Sequence, residues 1–244
     1  VDASFGTGIV MICTFGDKQD VVWAYRLNLK VIEALDSRGR LINAGVYDGL
    51  KVKDARAKIL EALRQAELFE REESLNQSVK THDRCGSETE FLPSFQWFIK
   101  LKGAGEDVVA AGREMKWIPA FTLQYLVDWA NGLEWDWVIS RQNVFGTPLP
   151  FWFCEKCGEI AAADEKKLPV DPSKEKHSGK CRKCGGALVG ETSVCDCWVD
   201  SSITPLVIAR WPDDDAFTKK VYPATLRPQG LEIIRTWAFY SIYR

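Results

Sequence analysis

The 244-residue chain is 46% hydrophobic and 27% charged with a formal net charge of −2, the make-up of an ordinary folded protein. That balance gives no support for wholesale electrostatic binding of nucleic acid and does not exclude it, since phosphate contacts need only a local basic patch. No apolar run approaches the roughly 18 residues of a membrane helix and no charged-then-apolar secretory leader opens the chain; with four of the eight Cys in two Cys-x-x-Cys knuckles, metal in a reducing cytoplasm is the better reading than disulfides.

The length accommodates one large domain or two to three smaller ones, and the start at Val1 without Met, with an end inside an aromatic helical pattern, reads as a piece of a longer protein. From Ser4 a Gly-rich turn, Gly6-Thr7-Gly8, is expected to run into an apolar strand, Ile9 to Cys13. It lacks the Gly-Lys-Ser/Thr ending of a phosphate loop. Asp17 and Asp20 precede an amphipathic helix from about Val21 to Leu27; they either cap that helix or grip an amine at the mouth of a pocket. Asp36-Ser-Arg-Gly39 reads as a hairpin turn between Val31–Leu35 and Leu41–Val46. The spacing of Ala55, Ile59, Leu63 and Ala66 predicts a helix over 53–68 with one buried face. Val79 to Gly86 reads as a strand ending in His82-x-x-Cys85, a turn with a stray Cys or half of a metal site, since two ligands cannot close a tetrahedral zinc. An aromatic strand over Leu92–Leu101, helices over Gly103–Trp117 and Phe121–Asn131, the second closed by Gly132, and a strand over Trp135–Ile139 follow. With a strand-helix pattern resuming near Val221, the order predicts an α/β architecture with a parallel sheet.

Arg141-Gln142 is a basic-polar pair with no assigned role, and Gly146-Thr-Pro-Leu-Pro150 turns the chain toward Cys154-x-x-Cys157-Gly158. Cys181-x-x-Cys184-Gly-Gly186 supplies a second knuckle. Thiolates with two residues between them across a tight turn can share one zinc, and four of them leave no open position, so this metal is expected to hold a fold and do no chemistry. Residues 161–180 are charged and read as a surface loop in which His177 is solvated. Cys195-Asp-Cys197 lies in Val194–Ser202, which alternates like a strand, and its Cys read as packed.

Trp137-Val-Ile-Ser-Arg-Gln142, Phe145-Gly-Thr-Pro-Leu-Pro150, the two knuckles, Asp196-Cys-Trp-Val-Asp-Ser-Ser202 and Leu226-Arg-Pro-Gln-Gly-Leu-Glu-Ile-Ile-Arg-Thr-Trp237 stand in one order. In that order they resemble class I aminoacyl-tRNA synthetases of the Val/Ile/Leu group, and within it the archaeal-type valyl branch, with an isoleucyl-type member as the neighbouring alternative. Phe5-Gly-Thr-Gly to Asp20 is similar to the closing part of that family's editing domain. The resemblance implies an α/β chain: a partial editing (connective peptide) domain of mixed α+β type over 1–115, then the second half of a Rossmann-like nucleotide-binding domain. That half would begin at 116–152, receive a zinc-ribbon insertion at 153–190 and resume over 191–244.

The activity so implied is ligation of valine to its tRNA with ATP and magnesium, with hydrolysis of mischarged threonyl-tRNA at a second site, in the cytoplasm and without a membrane. By position, Phe5, Cys13, Asp17 and Asp20 would line the editing pocket, with Asp20 on the α-ammonium. Met11 and Cys13 stand where bacterial members place polar residues. Trp198 would wall the valine side chain, Ile233 would contact it, Glu232 would bind the amino group and Gln229 would sit nearby. Cys154, Cys157, Cys181 and Cys184 would hold structural zinc, and His82 and Cys85 would be half of a split second site. The sequence contains neither His-Ile-Gly-His nor Lys-Met-Ser-Lys-Ser, the family's two ATP signatures, so the other parts of the enzyme would be obligatory partners. The rivals are a free-standing editing hydrolase and a zinc-ribbon RNA-binding module using Lys180, Arg182 and Lys183.

Overall fold

The computed structural model describes residues 4, 6–9, 18–74, 76 and 78–244. The strand expected after Ile9 and the positions Phe5, Met11, Cys13 and Asp17 lie outside the described residues. The chain divides into two units, residues 1–95 and 96–244. The helix that follows residue 104 gives its apolar face to the core of the second unit.

In the first unit, α1 (Lys18–Arg26) carries Asp20 in its first turn and Arg26 in its last, the charge order that complements the helix dipole. The Asp36 carboxylate accepts the N–H groups of Arg38 (2.8 Å) and Arg40 (2.9 Å), so the turn is held by its own Asp. Those N–H groups, that of Arg40 above all, hold the Asp36 carboxyl below the usual range. The flanking hairpin is reduced to a bridge between Leu35 and Leu41. Helix α2 (Val52–Gln65) buries Ala55. The strand expected over 79–86 is instead a turn at 83–85 beneath a bridge between Thr81 and Glu88.

The second unit is built from β1 (Phe98–Ile99), α3 (Gly105–Arg113), α4 (Thr122–Asn131), β2 (Trp137–Val138) and β3 (Ser140–Arg141). β4 (Phe151–Cys154), β5 (Ile160–Ala162), β6 (Leu188–Gly190) and β7 (Val194–Cys195) follow. Helices α5 (Cys197–Ser202), α6 (Thr204–Ile208) and α7 (Asp215–Val221) lead to a 3-10 turn at Leu231–Ile233, a π-helical turn at Ile234–Ala238 and α8 (Phe239–Tyr243). Val108, Val109 and Gly112 of α3 and Thr122, Leu126 and Ala130 of α4 fall on single faces, as three- and four-residue spacing demands. Leu126, fully buried, seats over Gly112, where a Cβ would strike the leucine Cδ2. These faces share one core with Leu101, Trp137, Ile234, Ala238, Phe239 and Tyr240. The Trp137 and Tyr240 rings stack at 3.7 Å and 5°.

Every ladder among the described residues is antiparallel: β1 with β2, β3 with β7, and β5-β4-β6. The expected parallel sheet is therefore corrected. Parallel pairing needs neighbours running the same way through a crossover, whereas β1 and β2 register Phe98 with Val138 and Ile99 with Trp137 in opposite directions. The aromatic segment beyond residue 230 packs as helical turns. The continuous strand expected over 194–202 is corrected too. It stops at Asp196, whose side chain accepts the Trp198 N–H and starts α5.

Candidate functional site

Asp196 is the residue on which the second unit's cavity is built. Its side chain is 6% exposed, and a carboxylate taken out of water must be compensated by donors. Oδ2 receives Arg141 Nη2 at 2.6 Å and Trp137 Nε1 at 3.0 Å, while Oδ1 receives the Trp198 N–H at 3.2 Å. Arg141 is fixed in turn by donating Nη1 to the Val138 and Ser140 carbonyls, each at 2.9 Å. The pair without an assigned role thus resolves. Arg141 faces Asp196, and Gln142 is exposed, reaching Gln96 Oε1 (3.3 Å) and Ser193 Oγ (3.4 Å).

Beside this node lies a cavity of about 410 Å³ whose wall includes Trp129, Trp135, Trp137, Trp198, Thr236 and Tyr240, with Arg141 and Asp196 among its polar groups. At its rim the Asp136 carboxylate accepts the Leu101 and Lys102 N–H groups, both at 2.9 Å. Led by Lys102, these keep its pKa below the ordinary carboxylate value. Of the residues expected in the amino-acid site, Trp198 lines the cavity, while Gln229, Glu232 and Ile233 lie outside its wall. Glu232 is exposed, and its carboxylate folds back so closely on Gly230 that a Cβ there would lie 2.5 Å from Oε1. Gln229 Oε1 and Ser201 Oγ are buried without hydrogen-bond partners. Sequence reasoning missed Asp196, Arg141 and Thr236. The available signal for Asp196 was an Asp two residues before Trp198, the spacing of a helix cap.

The four knuckle cysteines converge. Their Sγ atoms all lie within 4.8 Å of one another, with Cys154 to Cys184 at 3.4 Å and Cys157 to Cys181 at 3.6 Å. β4 carries Cys154 at its end between β5 and β6. Gly158 and Gly185, at φ of 69° and 70°, reverse the chain after each second cysteine. A Cβ on Gly186 would lie 2.9 Å from Cys154 Sγ and 3.3 Å from Cys184 Sγ, so only glycine leaves the sulfurs room. Burial opposes ionisation of Cys154, but the N–H groups of Cys157 and Lys156 and the Cys184 thiol bring its pKa down to about 7. The Gly186 N–H favours the Cys184 thiolate, yet Cys157 and Cys154 push it up to about 12. Four thiols this close cannot all ionise without a cation among them. The donor set therefore fits one tetrahedral, sulfur-ligated metal.

Around the knuckles, Trp152 is buried and donates Nε1 to the Glu175 carbonyl at 3.1 Å. His177, expected to be solvated, is partly buried edge-on against that indole at 5.2 Å, and its Nδ1 accepts the Gly179 N–H at 3.0 Å. Cys195 is half-buried, and burial followed by the Asp200 charge pushes its pKa up to about 11. Cys197 is exposed, which corrects its reading as packed: it stands on the first turn of α5.

In the first unit, His82 Nδ1 lies 3.4 Å from Cys85 Sγ on an exposed turn, and Ser87, through its hydroxyl first and its N–H second, lowers the Cys85 pKa. Among the described residues the only group of three or more metal-ligating side chains within bonding range of each other is the four-cysteine set. Asp20 is partly buried in the first turn of α1.

Comparison with known proteins adds an independent line. Residues 26–243 match the family model for tRNA synthetases class I (I, L, M and V). The chain is similar to the valine–tRNA ligase of Methanocaldococcus jannaschii, 47% identical over 246 residues covering 100% of this chain and 28% of that protein. It is likewise similar to that of Pyrococcus abyssi, 48% identical over 256 residues covering 100% of this chain and 29% of that protein. Among solved structures, the LeuRS of Agrobacterium radiobacter K84, in ternary complex with tRNA and LeuAMS, is 28% identical and covers 45% of this chain and 16% of that one at a TM-score of 0.36. The chain thus spans less than a third of the length of the curated relatives it matches. With the family model covering all but the first 25 residues and the last, the chain belongs to the class I tRNA synthetases of the isoleucine, leucine, methionine and valine group.

Proposed function

We propose that this chain is part of a valine–tRNA ligase, which activates valine with ATP, esterifies it to the tRNA for valine and hydrolyses mischarged threonyl-tRNA. The observation that carries the reading is 46–48% identity, across the whole chain, to proteins named valine–tRNA ligase. Two activities are needed because an apolar pocket cannot strongly reject an isostere that exchanges a methyl for a hydroxyl, a general limit of which the valyl enzymes are the standing example.

In the synthetic site Trp198 walls the valine side chain and Ile233 touches it. Glu232 offers the opposite charge that a desolvated α-ammonium requires, with Gln229 nearby. Support comes from Trp198 facing an aromatic cavity beside Thr236 and Tyr240. Engagement of Glu232 requires its carboxylate to leave Gly230. In the editing site Phe5, Cys13 and Asp17 surround the threonyl group while Asp20 holds its ammonium, orienting the ester for attack by water without a protein nucleophile. Cys154, Cys157, Cys181 and Cys184 would hold zinc, which supplies a structural cross-link there. ATP and magnesium belong to the whole ligase. Without the two signature motifs, the electrostatic stabilisers of the adenylation transition state, these 244 residues do not aminoacylate alone.

The test is Asp20→Ala in the whole ligase. Hydrolysis of threonyl-tRNA is expected to vanish while valine-dependent ATP–pyrophosphate exchange persists; undiminished hydrolysis overturns the editing assignment. Exchange driven by isoleucine in preference to valine would move the protein to the isoleucyl branch, and robust deacylation by the 244 residues alone would make it a free-standing hydrolase.

A further inference from the structure

We propose that Asp196 and Arg141 are a positioning pair that sets the angle and depth of the Trp198 wall and thereby the size selectivity of the amino-acid pocket; this rests on the reading of Trp198 given above. Trp198 is the second residue of α5, so its indole follows wherever the start of that helix is aimed. The aim is fixed by a single carboxylate used in two directions: Oδ1 takes the Trp198 N–H, while Oδ2 takes the Trp137 indole N–H and the Arg141 guanidinium. The Asp196 backbone N–H donates to the Ile139 carbonyl at 2.6 Å, closing the same junction from the other side.

Neither partner can move independently. Trp137 is buried and stacked on Tyr240, and Arg141 spends its second nitrogen on two carbonyls. Only a guanidinium can make that forked set. Of the two charged groups, Asp196 is 6% and Arg141 39% exposed. Removing the guanidinium would leave a carboxylate buried and short of one partner, which would draw water or turn toward it. Either response tilts α5 and withdraws or advances the indole in the cavity wall.

The reach of such a shift follows from how apolar pockets discriminate. One methylene is told apart by about 10–200-fold and no more, so a wall displaced by a fraction of a methylene erodes much of that margin. Trp198 contacts the substrate equally in the ground and transition states, so its misplacement raises KM more than it lowers kcat.

Valine- and isoleucine-dependent ATP–pyrophosphate exchange by the whole ligase carries the test. Arg141→Met and Asp196→Asn, whose single amide oxygen keeps the acceptor for the Trp198 N–H cap but turns an NH2 donor toward the Trp137 and Arg141 donors, are each expected to raise the valine KM about tenfold with a smaller change in kcat. Each should also narrow the valine-over-isoleucine ratio of kcat/KM. The double variant should be no worse than the poorer single, because both break one linkage, and Asp196→Ala should be the most severe. A purely structural pair would lower the melting temperature and leave KM and the selectivity ratio as in the parent; that result overturns the proposal. If Asp196→Asn fails to fold, Arg141→Met, altering the half-exposed member, decides by the same criteria. A Trp198→Ala control separates the two levels. If it raises the valine KM while the pair variants do not, the pocket stands and the positioning role falls. If Trp198→Ala leaves KM untouched, the assignment of Trp198 itself falls.

Discussion

Asp136 shows how a single side chain makes stability depend on pH in this molecule. Two backbone N–H groups, from Lys102 and Leu101, favour its charged form, so its folded pKa lies below the unfolded value. For a depressed carboxyl the stabilisation is complete above the unfolded pKa of about 3.9 and is lost as pH falls from there toward the folded pKa. Thermal unfolding followed between pH 6 and pH 3 should therefore lose midpoint at the acid end, and Asp136→Asn should flatten that part of the profile. Neither Asp136 nor Asp196 was legible as a site residue in the sequence. Each acts through an acceptor geometry that depends on partners 34–59 residues away, and no local pattern encodes that distance. Trp198, which lines the cavity, was singled out by its place in an ordered set of motifs, and the convergence of the four cysteines was legible because their spacing carries the coordination chemistry by itself.

At the scale of elements, the α3–α4 contact weighs two opposing effects at one glycine. Gly112→Ala improves helix propensity by about 1 kcal/mol, but its methyl collides with fully buried Leu126, and overpacking costs about 1–3 kcal/mol. Overpacking wins, so urea titration should show the variant less stable, and Gly112→Ala combined with Leu126→Ala should lose less than the sum of the two single variants, because the truncated Leu126 makes room for the added methyl. For the knuckles, metal analysis is expected to give one zinc per chain, lost in the Cys154→Ser, Cys157→Ser double variant. Chelation should lower the melting temperature of the intact chain without changing that of the double variant. The longer helices with a clear apolar stripe were the readable elements, whereas the short α5 was expected as strand. Those expected over 53–68 and 121–131 appear at Val52–Gln65 and Thr122–Asn131, because a 3.6-residue stripe is a property of the segment itself. Strands were not: apolar runs such as Leu92–Leu101 yield a two-residue pair, since whether extended chain counts as strand is decided by a partner elsewhere.

For the molecule as a whole, the ten buried residues of the main core among the described residues all lie from Leu101 to Tyr240, and the chain divides after Phe95. Residues 96–244 made alone should therefore unfold in one cooperative transition and retain the metal, as seen by calorimetry and metal analysis; a broad, non-cooperative melt would show that their core is incomplete. The sequence conveyed a mixed α/β composition and two cysteine knuckles that converge but not the direction of strand pairing, because direction is a property of connections between segments and leaves no mark within them. The four-cysteine excursion between Phe151 and Glu191 has a consequence for how such a fold can change over time. Glu191 N–H donates to the Phe151 carbonyl at 2.9 Å, so the chain re-enters one hydrogen bond from where it left. Lengthening the excursion from such a gate adds only about 0.6 kcal/mol of closure entropy for each doubling. The excursion is thus a replaceable cartridge. Versions of other lengths, or with the sulfurs exchanged for an apolar plug, could be spliced in at Phe151 and Glu191 while Asp196 and the cavity it shapes stay as they are.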